Sequence, residues 1–102
     1  MSVTSDRSPD EQQLTIKIKG RFDFSTHQDF RKAYEQETKA RRYVVDLKDT
    51  NYLDSSALGM LLLLRDHAGG DRSIAKVCLT NCNSDVKKIL AISNFDKLFD
   101  VG

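Results

Sequence analysis

The stretch Tyr43-Val44-Val45-Asp46-Leu47, followed after a polar turn by Leu53-Asp54-Ser55-Ser56-Ala57-Leu58-Gly59, decides how this chain is read. An apolar run without alternation predicts a buried strand, and the apolar-rich residues after the two serines predict a helix. A helix N-terminus is the positive end of the dipole, and serine is a preferred cap there. The two hydroxyls therefore stand where a partner can reach them. The pattern favours a phosphorylatable docking site over a catalytic one.

The central helix is expected to start at Ser55 or Ser56 and run to about His67, with Gly69-Gly70 as its stop. At about 100° per residue, Ala57, Met60, Leu61, Leu64 and Ala68 gather on one face that can cover a sheet. Leu62 and Leu63 point well away from that face and Leu58 lies at its margin. Two readings stay open here. Either the helix is wedged deeply or covered by the chain ends, or the surplus leucines form an apolar docking surface beside the serines.

Upstream, residues 1–12 are polar, hold the single proline and show no period, which predicts a flexible tail ahead of a domain over 13–102. Leu14, Ile16 and Ile18 alternate with Thr15, Lys17 and Lys19, the mark of a half-exposed strand. Gly20 is expected to break it, with Arg21-Phe22-Asp23-Phe24 as a short second strand joined by a hairpin or bulge. Ser25 and Gln28 have capping-box spacing, and Phe30, Ala33 and Tyr34 supply the stripe of a first helix ending near Thr38. Downstream, Ile74 to Leu79 reads as a strand. Asn83 or Ser84 can cap a helix carrying Val86, Ile89 and Leu90, and Phe95, Leu98 and Phe99 close the chain as a turn and a short element. Strands alternating with helices predict an α/β layer, and two strands ahead of the first helix predict a mixed sheet.

The bulk numbers narrow the function. With 102 residues the chain suits one domain, and a net charge of +1 supplies no electrostatic case for nucleic acid or an anionic membrane. Lys39-Ala40-Arg41-Arg42 reads as a solvated loop. Cys78 and Cys82 do not make a disulfide scaffold. His27 and His67 lack ligand spacing, so structural thiols and no metal or cofactor are expected. No signal pattern precedes Gln13, and the apolar run Met60 to Leu64 is too short to cross a bilayer, which predicts a soluble cytoplasmic protein.

Asp54-Ser55-Ser56-Ala57-Leu58-Gly59 behind the Val44-Val45-Asp46-Leu47 strand resembles the core motif of STAS domains, specifically bacterial anti-sigma factor antagonists. Gly20-Arg21-Phe22-Asp23 resembles the family's early glycine-to-aspartate element. Asn83 to Leu90 and Phe95 to Phe99 resemble its closing helix and tail, so the likeness covers nearly everything from Leu14 onward. Arg21-Phe22-Asp23-Phe24 and Ala91-Ile92-Ser93-Asn94-Phe95 look like the branch tied to biofilm, motility and secretion control.

The resemblance implies a single domain with a small mixed sheet of four or five strands and helices packed against it. It also implies a partner switch in transcription control. An anti-sigma factor or serine switch kinase binds and phosphorylates the antagonist, and a metal-dependent serine phosphatase reverses the change. In the family motif the phosphorylated serine directly follows the aspartate, here Ser55, with Ser56 as a second hydroxyl. Asp23, Asp54 and Ser56 are the implied partner surface, to which the apolar helix face adds Leu58 and Leu62, on a monomer or weak dimer. Ala57 and Asn94 stand where many members have glycine. Alanine favours the helix and asparagine tolerates a left-handed cap, so the fold is unaffected, while the alanine alters how closely a kinase backbone approaches.

Other function classes fit less well. A serine-hydrolase elbow wants glycine two residues either side of its nucleophile, whereas Leu53 and Ala57 flank Ser55, and Asp54 and Leu58 flank Ser56. Gly69-Gly70 lacks the spacing of a phosphate-binding loop, so any ATP belongs to a partner. A STAS module of a transporter or stressosome wants membrane segments or a long extra domain. A non-switching STAS scaffold that binds another signalling enzyme is the alternative to the switch.

Overall fold

The computed structural model describes residues 2–10, 12–37, 40–69 and 76–102. Its organising strand is β2 (Gln13–Phe22), in which the expected alternation buries Leu14, Ile16 and Ile18 and exposes Lys17 and Lys19. Gly20 does not end this strand. It takes φ 89, which glycine adopts without a Cβ clash, and the register slips between Gly20 and Arg21. The separate strand expected over Arg21 to Phe24 is therefore the end of β2 beyond a bulge, and it stops at Phe22.

The flexible tail expected over residues 1–12 is corrected in the same way. Ser2–Arg7 form β1, antiparallel to β2 from Ser2 opposite Lys19 to Arg7 opposite Leu14. An edge strand shows water most of its surface, so polar side chains suit it and conceal it in the sequence. Val3 packs against the core, and Arg7 Nε lies 3.0 Å from the buried Glu37 carboxylate.

On the other side of β2 runs β3 (Arg42–Asp46), parallel to it, then β5 (Lys76–Thr80) and the two-residue β6 (Asp100–Val101), also parallel. Residues 74 and 75, where the β5 strand was expected to start, lie outside the described residues. The polar turn expected before Leu53 contains a strand as well. β4 (Thr50–Leu53) pairs in parallel with the end of β2, and its buried Thr50 hydroxyl donates to the Ile18 carbonyl at 2.8 Å. The mixed sheet thus has six strands, ordered β1-β2-β3-β5-β6 with β4 on β2, rather than four or five.

Three helices, α1 (His27–Tyr34), α2 (Ser55–His67) and α3 (Ser84–Ile92), complete the α/β domain among the described residues. The predicted inner face of α2 is buried, with Leu61 and Leu64 fully so, against Ile16, Ile18, Val45 and Leu79 of the sheet core. Each such leucine contributes about 1.5–3 kcal/mol relative to an exposed one. Ala68 caps the end of α2 and Gly69 follows at φ 107, while Gly70 lies outside the described residues. Asn83 caps α3, its side chain accepting from the Val86 amide at 2.9 Å. Asn94 takes φ 62, the left-handed turn that asparagine was expected to tolerate.

Two helix starts differ from expectation. Asp23, not Ser25, caps the 3-10 turn Phe24–Thr26 that leads into α1, because its carboxylate and Thr26 satisfy each other's amides reciprocally. α1 then ends at Tyr34 with Glu35 as its cap, a turn short of Thr38, which lies outside the described residues.

Candidate functional site

The parallel register sets Phe22 beside Leu53, both buried, at the carboxyl ends of β2 and β4. The next residue on each strand is an aspartate, Asp23 and Asp54, and each caps the helical segment that follows. Two helical N-termini therefore start side by side beyond the carboxyl edge of parallel strands, the position where α/β sheets place their sites. Asn83 ties a third helix start to the same region, donating from Nδ2 to the Thr50 carbonyl at 3.1 Å.

Neither serine caps α2. Asp54 does, its Oδ1 accepting from the Ala57 amide at 3.0 Å. With that role taken, Ser55 is the exposed first residue of the helix and Ser56 is half-buried behind it. One turn on, Leu58 is half-buried against the core, and Leu62 beyond it is 37% exposed. Gly59 lies between them, exposed and with open space where a Cβ would stand. The surplus leucines thus divide. Leu58 belongs partly to the core, Leu62 is displayed, and Leu63, at 60% exposure, lines a separate groove with Tyr34 and His67.

Asp23 is held on two sides. The Ser25 amide at 3.0 Å and the Ser25 hydroxyl donate to Oδ1, and Arg21 Nε donates to Oδ2 at 3.2 Å. The Ser25 hydrogen bond first, and then Arg21, hold this carboxyl below the ordinary aspartate range. The Arg21 guanidinium also lies over the Tyr52 ring, 4.0 Å from its centroid, because the register makes Arg21 and Tyr52 neighbours on adjacent strands. Phe24, 65% exposed, stacks on His27 at 4.4 Å.

The structure therefore brings Asp23, Asp54, Ser55 and Ser56 to one edge, with Leu58 and Leu62 rising from it along α2. Arg21, Tyr52 and Phe24 share that surface, and sequence reading did not single them out. Tyr52 sits in the unrecognised β4, and the Arg21 pairing exists only through the β2–β4 register. The histidines hold other partners. His27 Nδ1 is 2.8 Å from the Phe24 carbonyl, and His67 Nε2 donates to the Glu37 carbonyl at 2.7 Å from the far end of α2. Neither makes a hydrogen bond to Ser55 or Ser56 among the described residues.

Cys78 and Cys82 are free and buried, and burial pushes the Cys82 thiol up from its ordinary value. No described helix is long and apolar enough to cross a membrane.

Comparison with known proteins bears on the family and the fold. A STAS-domain containing protein of Pseudomonas aeruginosa (strain UCBPP-PA14) is 62% identical over 102 residues, covering 99% of both chains. Among solved structures, the anti-sigma factor antagonist SpoIIAA in its unphosphorylated form superposes with a TM-score of 0.74 at 14% identity, over 99% of this chain and 87% of that one. The Bacillus SpoIIAA in its phosphorylated form gives 0.68 at 13%, over 99% and 91%. A putative anti-sigma factor antagonist from Thermotoga maritima gives 0.78 at 16%, over 97% and 84%. Residues 5–100 match the family described as "Mlab, STAS domain", and the chain belongs to the STAS-domain family.

Proposed function

We propose that this chain is an anti-sigma factor antagonist working in a phosphorylation-controlled partner switch in the cytoplasm. The unphosphorylated form binds an anti-sigma factor or switch kinase through Asp23, Asp54, Ser56, Leu58 and Leu62, and phosphorylation of Ser55 changes the partner chosen. The carrying observation is that Asp54 caps α2, which leaves Ser55 exposed at the helix start, with the displayed Leu62 two turns further along the helix. That a protein of the same fold occurs in phosphorylated and unphosphorylated forms supports the reading.

The chemistry asks little of this chain. Ser55 Oγ takes the γ-phosphoryl group of the kinase's ATP, its proton passes to a base on the kinase, and ADP leaves. Water on a metal-dependent serine phosphatase later releases the phosphate. The new group carries about −1.5 to −2 charges and meets helix amides and the positive dipole end, so α2 stays folded. What changes is the surface. Like charge or a desolvated charge in an interface costs about 2–5 kcal/mol, and each 1.4 kcal/mol is tenfold in affinity.

Pull-down from native lysate with immobilised Ser55→Ala and Ser55→Asp tests this. Ser55→Ala retains the anti-sigma or kinase partner and Ser55→Asp loses at least tenfold in affinity. Equal recovery by both variants removes Ser55 from the mechanism and leaves a STAS scaffold that binds another signalling enzyme.

A further inference from the structure

The Arg21 side chain sits exposed between Tyr52 and Asp23. Its guanidinium lies over the Tyr52 ring, 4.0 Å from the centroid, and its Nε meets Asp23 beyond the end of β2. Asp23 keeps a second hold without it, since the Ser25 amide and hydroxyl occupy the other carboxylate oxygen. The side chain is 62% exposed, and exposed ion pairs of this kind are weak.

Taking Ser55 as the phosphorylated residue, we infer that Arg21 is the internal partner of its phosphate. The guanidinium gives up Asp23 and pairs with the phosphoserine while still stacked on Tyr52. Register places Arg21 beside Tyr52, three residues ahead of Ser55 and one strand across. The charged and titratable groups on the elements that meet here include Asp54 before α2, Asp23 and Arg21 at the end of β2, Tyr52 on β4, His27 and Asp29 on α1, and Asp85 in the first turn of α3. Asp23 and Asp54 lie nearest in sequence to the two helical starts, so a phosphate on Ser55 meets like charge that Arg21 offsets. A planar guanidinium can grip phosphate oxygens in pairs, which a lysine ammonium does not. The consequence is a phosphate turned toward the protein's own surface at an otherwise acidic junction.

The test is a ³¹P NMR titration of protein carrying phosphoserine at position 55, introduced during translation so that no kinase is required. The native background is compared with Arg21→Gln, Arg21→Lys and, as a charge control elsewhere on β2, Lys17→Gln. Circular dichroism verifies that each is folded. The second phosphate ionisation, about 6 for an unperturbed phosphoserine, is expected about half a unit lower in the native background than in Arg21→Gln. Arg21→Lys is expected between the two, and Lys17→Gln indistinguishable from native. Equal values for native and Arg21→Gln overturn the pairing, as does an equal shift from Lys17→Gln, which marks general charge alone. Because the phosphate is encoded, a cell that never modifies Ser55 defeats the proposed switch without altering this result.

Discussion

The two ends of α2 are built in opposite ways. At its start, Asp54 caps the helix and Ser55 faces solvent, with Asp23, Arg21 and Tyr52 arranged around the same edge. At its end, His67 is wedged edge-on against Tyr34, 5.0 Å away, and Tyr43, 6.1 Å away, while its Nε2 donates to the Glu37 carbonyl. Glu37 in turn holds Arg7 of the edge strand. One end is open to solvent and the other is tied into the domain. The contrast bears on the proposed switch, because the 13-residue α2 is anchored about 20 Å away from Ser55, where the proposed phosphate would add charge.

The largest effect should come from the anchored half. Leu64 is fully buried one turn before the end of α2, so Leu64→Ala should cost about 2–5 kcal/mol, measured by urea denaturation at unchanged slope. A cost under 1 kcal/mol would mean the anchored end is looser than its packing. His67→Ala comes next, at about 1–2 kcal/mol, since it removes a hydrogen bond and two aromatic edges together.

At the open end the effects should separate by residue. Asp54→Ala removes the cap and should cost about 1 kcal/mol, whereas Ser55→Ala should stay within about 0.5 kcal/mol. If Ser55→Ala were the more damaging of the two in thermal denaturation, the hydroxyl would be the cap and the site would lose its spare group.

The smallest effect concerns pH. Asp23 has its carboxyl depressed in the folded state by Ser25 and then Arg21, so the unfolded chain takes up its proton first as pH falls. Its stabilising contribution is therefore complete above the unfolded value of about 3.9 and disappears as pH drops through the lower folded value. The stability difference between native protein and Asp23→Asn should be flat from pH 5 to 7 and shrink below about pH 4. A difference that grows on acidification would contradict the assigned hydrogen bonds.

The anchored and open ends also differ in how far they can be read from sequence. The buried face of α2, the alternation of β2 and the Asn83 cap are local patterns, and each stands in the fold as read. β1 escaped because a polar edge strand has the composition of a tail, and β4 because four residues with only the outer two buried resemble a turn. Asp54, Ser55 and Ser56 are all competent caps in succession, so propensity alone does not choose among them. The choice is made by where β4 ends, which depends on its pairing with β2 thirty residues away. The sequence motif therefore named the candidate residues, while the register sets Arg21 and Tyr52 at the same edge.

Mass-spectrometric phosphosite mapping of the protein purified from its native cells, with co-purifying proteins identified, tests the central claim most directly. The account predicts phosphate on Ser55 and an anti-sigma or kinase partner recovered with the unmodified form. Unmodified serines across varied growth conditions, with no such partner recovered, would contradict it.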